Sequence, residues 1–272
     1  MTEFERDLVP VAAEERLERA PLALAVCQIK YETTLSVSDG HTARALQDAL
    51  GGRERYGKVE QVSGIALNVS LASNASPAIQ SSQGLGGWRF TSLDGEWTVS
   101  VLPDFAGIET TRYDTWSAGF GERLEQLATA VAKVISPAFE QRLGLRYINR
   151  LSDLPIARPS DWGRYLSAEL AGPLLHPVFG GAITASQQIL SLSLNASADI
   201  TATLRHGTVE APEGVSYLLD IDVSRQTSRE FDPQTIAMDA NQFRGYAVRL
   251  FQSSLDAGYL ESLRLQLYLM SG

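Results

Sequence analysis

Apolar residues alternate with polar ones along most of this chain, and the spacing turns helical in a few stretches. After Pro21, LALAVCQIKYETTL is apolar and β-rich and reads as a largely buried strand. HTARALQDALGG reads as a short helix closed by Gly51 and Gly52. In VSGIALNVSLA, residues Ile65, Leu67, Val69 and Leu71 alternate, as in a strand with one buried face. Trp88 and Phe90 alternate with Arg89 and Thr91, and Asp94-Gly95 between two β-rich runs predicts a hairpin. GIETTRY extends this antiparallel meander. Trp116, Phe120, Leu124, Leu127, Val131 and Ile135 then recur at helical spacing, with Asp114 or Thr115 as cap and Pro137 past the end.

The second half runs in the same order. GLRYINRL reads as a strand, and SDWGRYLSAELAG as a helix capped by Ser160 or Asp161. QQILSLSLN, ADITATLRHG and VSYLLDIDVS alternate as strands. A long helix follows, capped by Asp232, with Pro233 in the first helical position, where its missing N–H is harmless. Its buried stripe is Ile236, Ala240, Phe243, Ala247 and Phe251.

One offset of 116 residues places Tyr31 over Tyr147 and Leu127 over Phe243. The expected fold class is α+β: two β-α-β(3-4)-α repeats, with antiparallel sheets each backed by a long helix, saddle-like or helix-grip-like. The boundaries are an N-terminal arm at 1–19, repeats at 20–137 and 138–258, and a C-terminal strand or tail at 259–272. The arm is expected to be loose or a short helix.

Charge narrows the function classes. The net charge is −9 and the sequence pI near 4.9, which argues against a nucleic acid or an anionic membrane as partner. One cysteine, Cys27, rules out an internal disulfide framework. The acidic N-terminus lacks a signal-type apolar region, and no run has transmembrane length. The expected location is cytoplasmic.

Three stretches, APLALAVCQIKYE, WRFTSLDGEWTVSV…ETTRYDTWSAGF and LGLRYINRL, resemble a sporadically distributed, uncharacterised prokaryotic protein family. The likeness spans roughly residues 20–255 and is sharpest at Tyr113-x-x-Trp116-x-x-x-Phe120 and at Leu145 to Arg150. Pro21 fits the family pattern, whereas Ala20 stands where Asn is common. The resemblance implies no catalytic residues. Its sporadic distribution implies an accessory or defence-linked operon role.

Candidate chemistry is sparse. Arg146 and Arg150 share one face of GLRYINRL, while Tyr147 and Asn149 share the other. The arginines make either an anion-binding surface, with Arg89 a weaker member, or ion pairs with a neighbouring strand. Asp220 and Asp222 share a strand face. His41, His176 and His206 occur in no metal-binding spacing, and His41 and His206 read as surface residues. Gly84-Leu85-Gly86-Gly87 precedes a strand and lacks the helix of a phosphate loop.

The expected function is non-enzymatic capture of a protein partner through Arg146, Arg150 and Arg89, with no metal and no cofactor. The alternative is a small-ligand site or enzyme with a pocket between sheet and long helix, built from Asp220, Asp222, Tyr147 and Asn149. A sheet-saddle nucleic-acid binder is a third reading, opposed by the acidity.

Overall fold

In a computed structural model, residues 7–63, 66–68, 78–80, 86–197, 199–211 and 214–264 are described. The first half contains β1 (Leu22–Tyr31), α1 (Gly40–Ala49), α2 (Gly52–Arg55), β2 (Lys58–Ser63), β3 (Ala66–Asn68) and β4 (Ala78–Gln80). It continues with β5 (Gly86–Thr91), β6 (Trp97–Leu102), β7 (Phe105–Thr110) and α3 (Gly121–Val134). The second half contains β8 (Phe139–Leu151), α4 (Ala168–Ala171), β9 (Gln187–Ser193), β10 (Ile200–Ala211) and β11 (Gly214–Arg225). It ends with β12 (Arg229–Glu230), α5 (Pro233–Ser254) and α6 (Ala257–Arg264).

The fold is mixed α+β around one large antiparallel sheet. Strand order is β2-β5-β6-β7-β1-β8-β11-β10-β9, with β12 pairing on β8 and β3–β4 forming a separate ribbon. The two sheets expected from sequence are thus one, because β1 and β8 pair side by side, Ala25 opposite Tyr147 and Cys27 opposite Leu145. Both strands already have an apolar side toward the helices, so pairing them continues one core.

That core face carries Ala25, Cys27, Ile29 and Tyr31 from β1, Leu143 and Leu145 from β8, and Leu219, Ile221 and Val223 from β11, all fully buried. Cys27 is buried and its thiol is pushed up by desolvation. Helices α3 and α5 pack on this face and on each other. Leu124, Leu127 and Val131 of α3 and Ile236, Ala240, Phe243, Ala247 and Phe251 of α5 are buried, as their spacing predicts. Each large side chain so buried stabilises the fold by about 1.5–3 kcal/mol. Asp232 accepts from Thr235 N–H at 2.8 Å and caps α5. Thr115 caps the turn that precedes α3, accepting from Ala118 N–H at 3.0 Å. Arg225, almost fully buried, bonds Asp239 of α5 at 2.5 Å and Glu140 of β8, tying sheet to helix. Burial raises the Glu140 carboxyl, against the opposing pull of Arg225.

Several local expectations change. Residues 160–172 are not one helix: Pro159–Arg164 forms a 3-10 turn and Ala168–Ala171 a single helical turn. Trp162 is buried against Tyr217, and Leu166 bridges to Leu255, so tertiary contacts override the local pattern. The segment 257–264 is helical rather than a strand, with Leu260 and Leu263 buried. The arm over residues 10–17 has no regular helix. It follows α5 instead, Ala12 N–H donating to the Gly245 carbonyl at 3.0 Å. A Cβ at Gly245 would stand 2.1 Å from Val11 Cγ1, so this glycine lets the arm close on the helix. His206 is buried, not superficial, and its Nδ1 lies 2.8 Å from the Tyr217 hydroxyl. Residues 1–6, 64–65, 69–77 and 265–272 lie outside the described residues, and with them Ile65, Val69 and Leu71 of the expected second strand and most of the C-terminal tail.

Candidate functional site

The helices cover one face of the sheet; the other carries most of the sequence-predicted site residues. Strand alternation and register put Arg89, Arg146, Arg150, Asp220 and Asp222 on that second face. Tyr147 and Asn149 point the other way, toward the helices. The four residues expected to form one pocket are therefore split by the thickness of the sheet.

Arg146 is already engaged. Its Nε donates to Asp220 Oδ1 at 2.6 Å and its Nη2 to Oδ2 at 2.7 Å, a bidentate fork. Asp220 is fully buried, and Arg205, directly opposite it on β10, adds a second cation at 3.5 Å. Arg142 reaches along β8 to Asp222, which lies opposite Arg146, at 3.3 Å. The ion-pair reading of Arg146 thus describes its geometry, and Asp220 is a neutralised structural anion. The sequence reading did not name Arg142 or Arg205; both sit on the strand face that Arg146 and Asp220 define.

Next to these pairs, one lateral row of the second face contains no bulky apolar side chain. Across nine strands it runs Glu60, Arg89, Ser100, Gly107, Gln28, Gly144, Ser224, Thr201 and Ser193, each directly opposite the next. The centre of the row opens into a groove of about 390 Å³ lined by Gln28, Lys30, Phe105, Arg142, Gly144 and Asp222, with Val26, Asp104 and Arg146 beside them. At Gly144 a Cβ would stand 2.4 Å from Arg142 Nη1, so the guanidinium lies close over the glycine.

The electrostatics of this face differ from those of the chain. Lys30, Lys58, Arg89, Arg142, Arg146, Arg150 and Arg205 project onto it, against Glu60, Glu109, Asp220 and Asp222, on a molecule of net charge −9. Glu109 is half-buried; desolvation raises its carboxyl to about 7, with the Arg89 guanidinium pulling it down. At neutral pH that carboxyl is only partly ionised, which deepens the local basic excess. Among the described residues, no group of three or more His, Cys, Asp or Glu is arranged to hold a metal ion. Among them, too, no helix is long and apolar enough to cross a membrane.

No family model matches the chain, and no curated protein matches it either.

Proposed function

We propose that this chain is a non-enzymatic, cytosolic binding protein that seats an acidic, extended segment of a protein partner across the helix-free face of its sheet. The observation that carries this reading is the row of small and polar residues from Ser100 through Gly107, Gln28 and Gly144 to Ser224, walled by Lys30 and Arg142. Nine strands at about 4.8 Å spacing make this lane roughly 40 Å long, enough for about 12 extended residues. Lys30 is exposed, and Arg142 keeps part of its guanidinium accessible beyond the bond to Asp222. Both can meet carboxylates without breaking a buried pair. Asp104 and Asp222 border the groove at fixed points; a peptide can place neutral residues opposite them, whereas a phosphate backbone carries charge at every step, which favours protein over nucleic acid.

The same reading treats the molecule as a duplicated, saddle-like unit. Support comes from the like positions of the two halves: β1 and β8 meet at the centre, β7 and β11 flank them, and α3 and α5 follow those flanking strands onto one face. The sequence offset of 116 residues agrees with that correspondence. The site assignment shifts accordingly, from Arg146 itself to Lys30 and Arg142, with Arg150 and Arg89 farther along the face.

Random extended peptides displayed against the immobilised protein test the proposal. Enriched sequences should be rich in Asp and Glu, and the paired variant Lys30→Glu, Arg142→Gln should weaken their binding at least about tenfold at unchanged melting temperature. Neutral or basic enrichment, undiminished binding by the variant, or tighter salt-dependent binding of a mixed oligonucleotide would overturn it.

A further inference from the structure

A second site lies on the opposite side of the sheet, where the arm, the Tyr113 turn, β8 and α5 meet. A partly open cavity of about 70 Å³ lies there. At about 10–15 Å³ per water-sized position, it has room for roughly five to seven non-hydrogen atoms. Leu17, Leu22, Val248 and Phe251 give it an apolar wall.

Its polar end is unusual. Arg244 of α5 lines the cavity and is only 8% exposed. Its Nε donates to Asn241 Oδ1 at 2.9 Å, but Nη1 is buried and, among the described residues, has no hydrogen-bond partner. Among the described residues no carboxylate stands within ion-pair distance of Arg244. The acids that line the same cavity, Glu14, Glu15 and Asp114, are engaged elsewhere: Glu14 accepts from Ser117 N–H at 2.9 Å, and Glu15 bonds Gln252 and Arg264. Asp114 bonds Arg16 at 2.8 Å. A buried guanidinium N–H without an acceptor is costly, and such groups are rarely left so without a ligand or water.

A second donor lines the same cavity. The Tyr147 hydroxyl donates to the Tyr113 oxygen at 3.0 Å, which leaves the Tyr113 O–H free to donate onward. Burial pushes the Tyr113 hydroxyl up to about 12, so it keeps its proton at neutral pH. A cationic N–H and a neutral O–H beside an apolar wall match one ligand class: a short-chain carboxylate, its oxygens on Arg244 and Tyr113 and its carbons against Leu22, Val248 and Phe251.

We infer that this cavity binds a small aliphatic carboxylate. Butyrate is the probe, with butyramide as the uncharged isostere, titrated calorimetrically against the full chain. Butyrate should bind with a dissociation constant at or below about 1 mM, and butyramide at least about tenfold more weakly. Arg244→Gln should weaken butyrate at least tenfold and abolish the preference over butyramide, and Tyr113→Phe should weaken it several-fold. Should Arg244→Gln not fold, the acid-over-amide preference and the Tyr113→Phe loss decide alone. No heat with butyrate at about 10 mM, equal affinity for acid and amide, or full retention in a folded variant overturns the site. Because the cavity and the groove lie on opposite faces, Lys30→Glu with Arg142→Gln should leave butyrate binding unchanged.

Discussion

Asp220 illustrates how single residues govern this face. It is fully buried, and its charge is met by the Arg146 fork and by Arg205. Removing the anion leaves two guanidinium groups facing each other without a counter-charge. Asp220→Ala is therefore expected to lower stability by about 3 kcal/mol, seen as a shift of the urea midpoint. A loss below about 1 kcal/mol would mean that the pair contributes little. Glu109 makes a pH-dependent statement. Its folded pKa, about 7, lies above its ordinary value of 4.5, so the folded state holds the proton more tightly. Stability should fall as pH rises from about 4.5 to about 7 and stay flat above. Glu109→Gln should flatten that fall and stabilise the protein at pH 8 by about 1 kcal/mol or more, with little effect at pH 4. An unchanged pH slope in the variant would exclude Glu109 as its source. The sequence showed which of these residues share a face, because alternation along a strand has period two. It did not show the partners, because the diagonal contact of Arg146 with Asp220 depends on β8 lying next to β11.

At the level of elements, regular periodicity was readable and tertiary fitting was not. Helices α3 and α5 declared themselves by their stripes and caps, and Phe243→Ala, which empties the centre of one stripe, should cost about 3–5 kcal/mol. The arm resisted such reading, since its extended path is set by contacts with α5 that lie far away in sequence. The 160–172 segment carries helical residues, but Trp162 is drawn into the core beside Tyr217 and breaks the run. Gly245→Ala tests the arm contact. Alanine favours the helix by about 1 kcal/mol over glycine, yet its methyl would press on Val11. Global stability should change by less than about 1 kcal/mol, while amide exchange at Ala12 speeds up at least tenfold. Undiminished protection at Ala12 would show that the arm does not depend on that close approach. The cavity beside the arm was half legible: Tyr147 and Asn149 were named as pocket residues, but Arg244 sits on the polar side of the helix pattern and gave no sign of being buried.

For the whole molecule, the joining of β1 to β8 decides what faces are available. Among the described residues, one continuous sheet places the long helices on one side and leaves the other face without a helix across both halves. The order of elements was legible; the merger of two sheets was not, since edge pairing between distant strands leaves no periodic trace. The merger also puts the residues aligned by the offset of 116 at the centre of the molecule, where Gln28 and Gly144 stand opposite each other in the groove. The central claim is that recognition happens on this helix-free face. Amide chemical-shift mapping during titration with an acidic 12-residue peptide tests it directly. The account expects shifts along β1, β7, β8 and β11, centred on Gln28, Gly107, Gly144 and Ser224, with α3 and α5 silent. Shifts confined to α3, α5 or the arm, or none at saturating peptide, would contradict it.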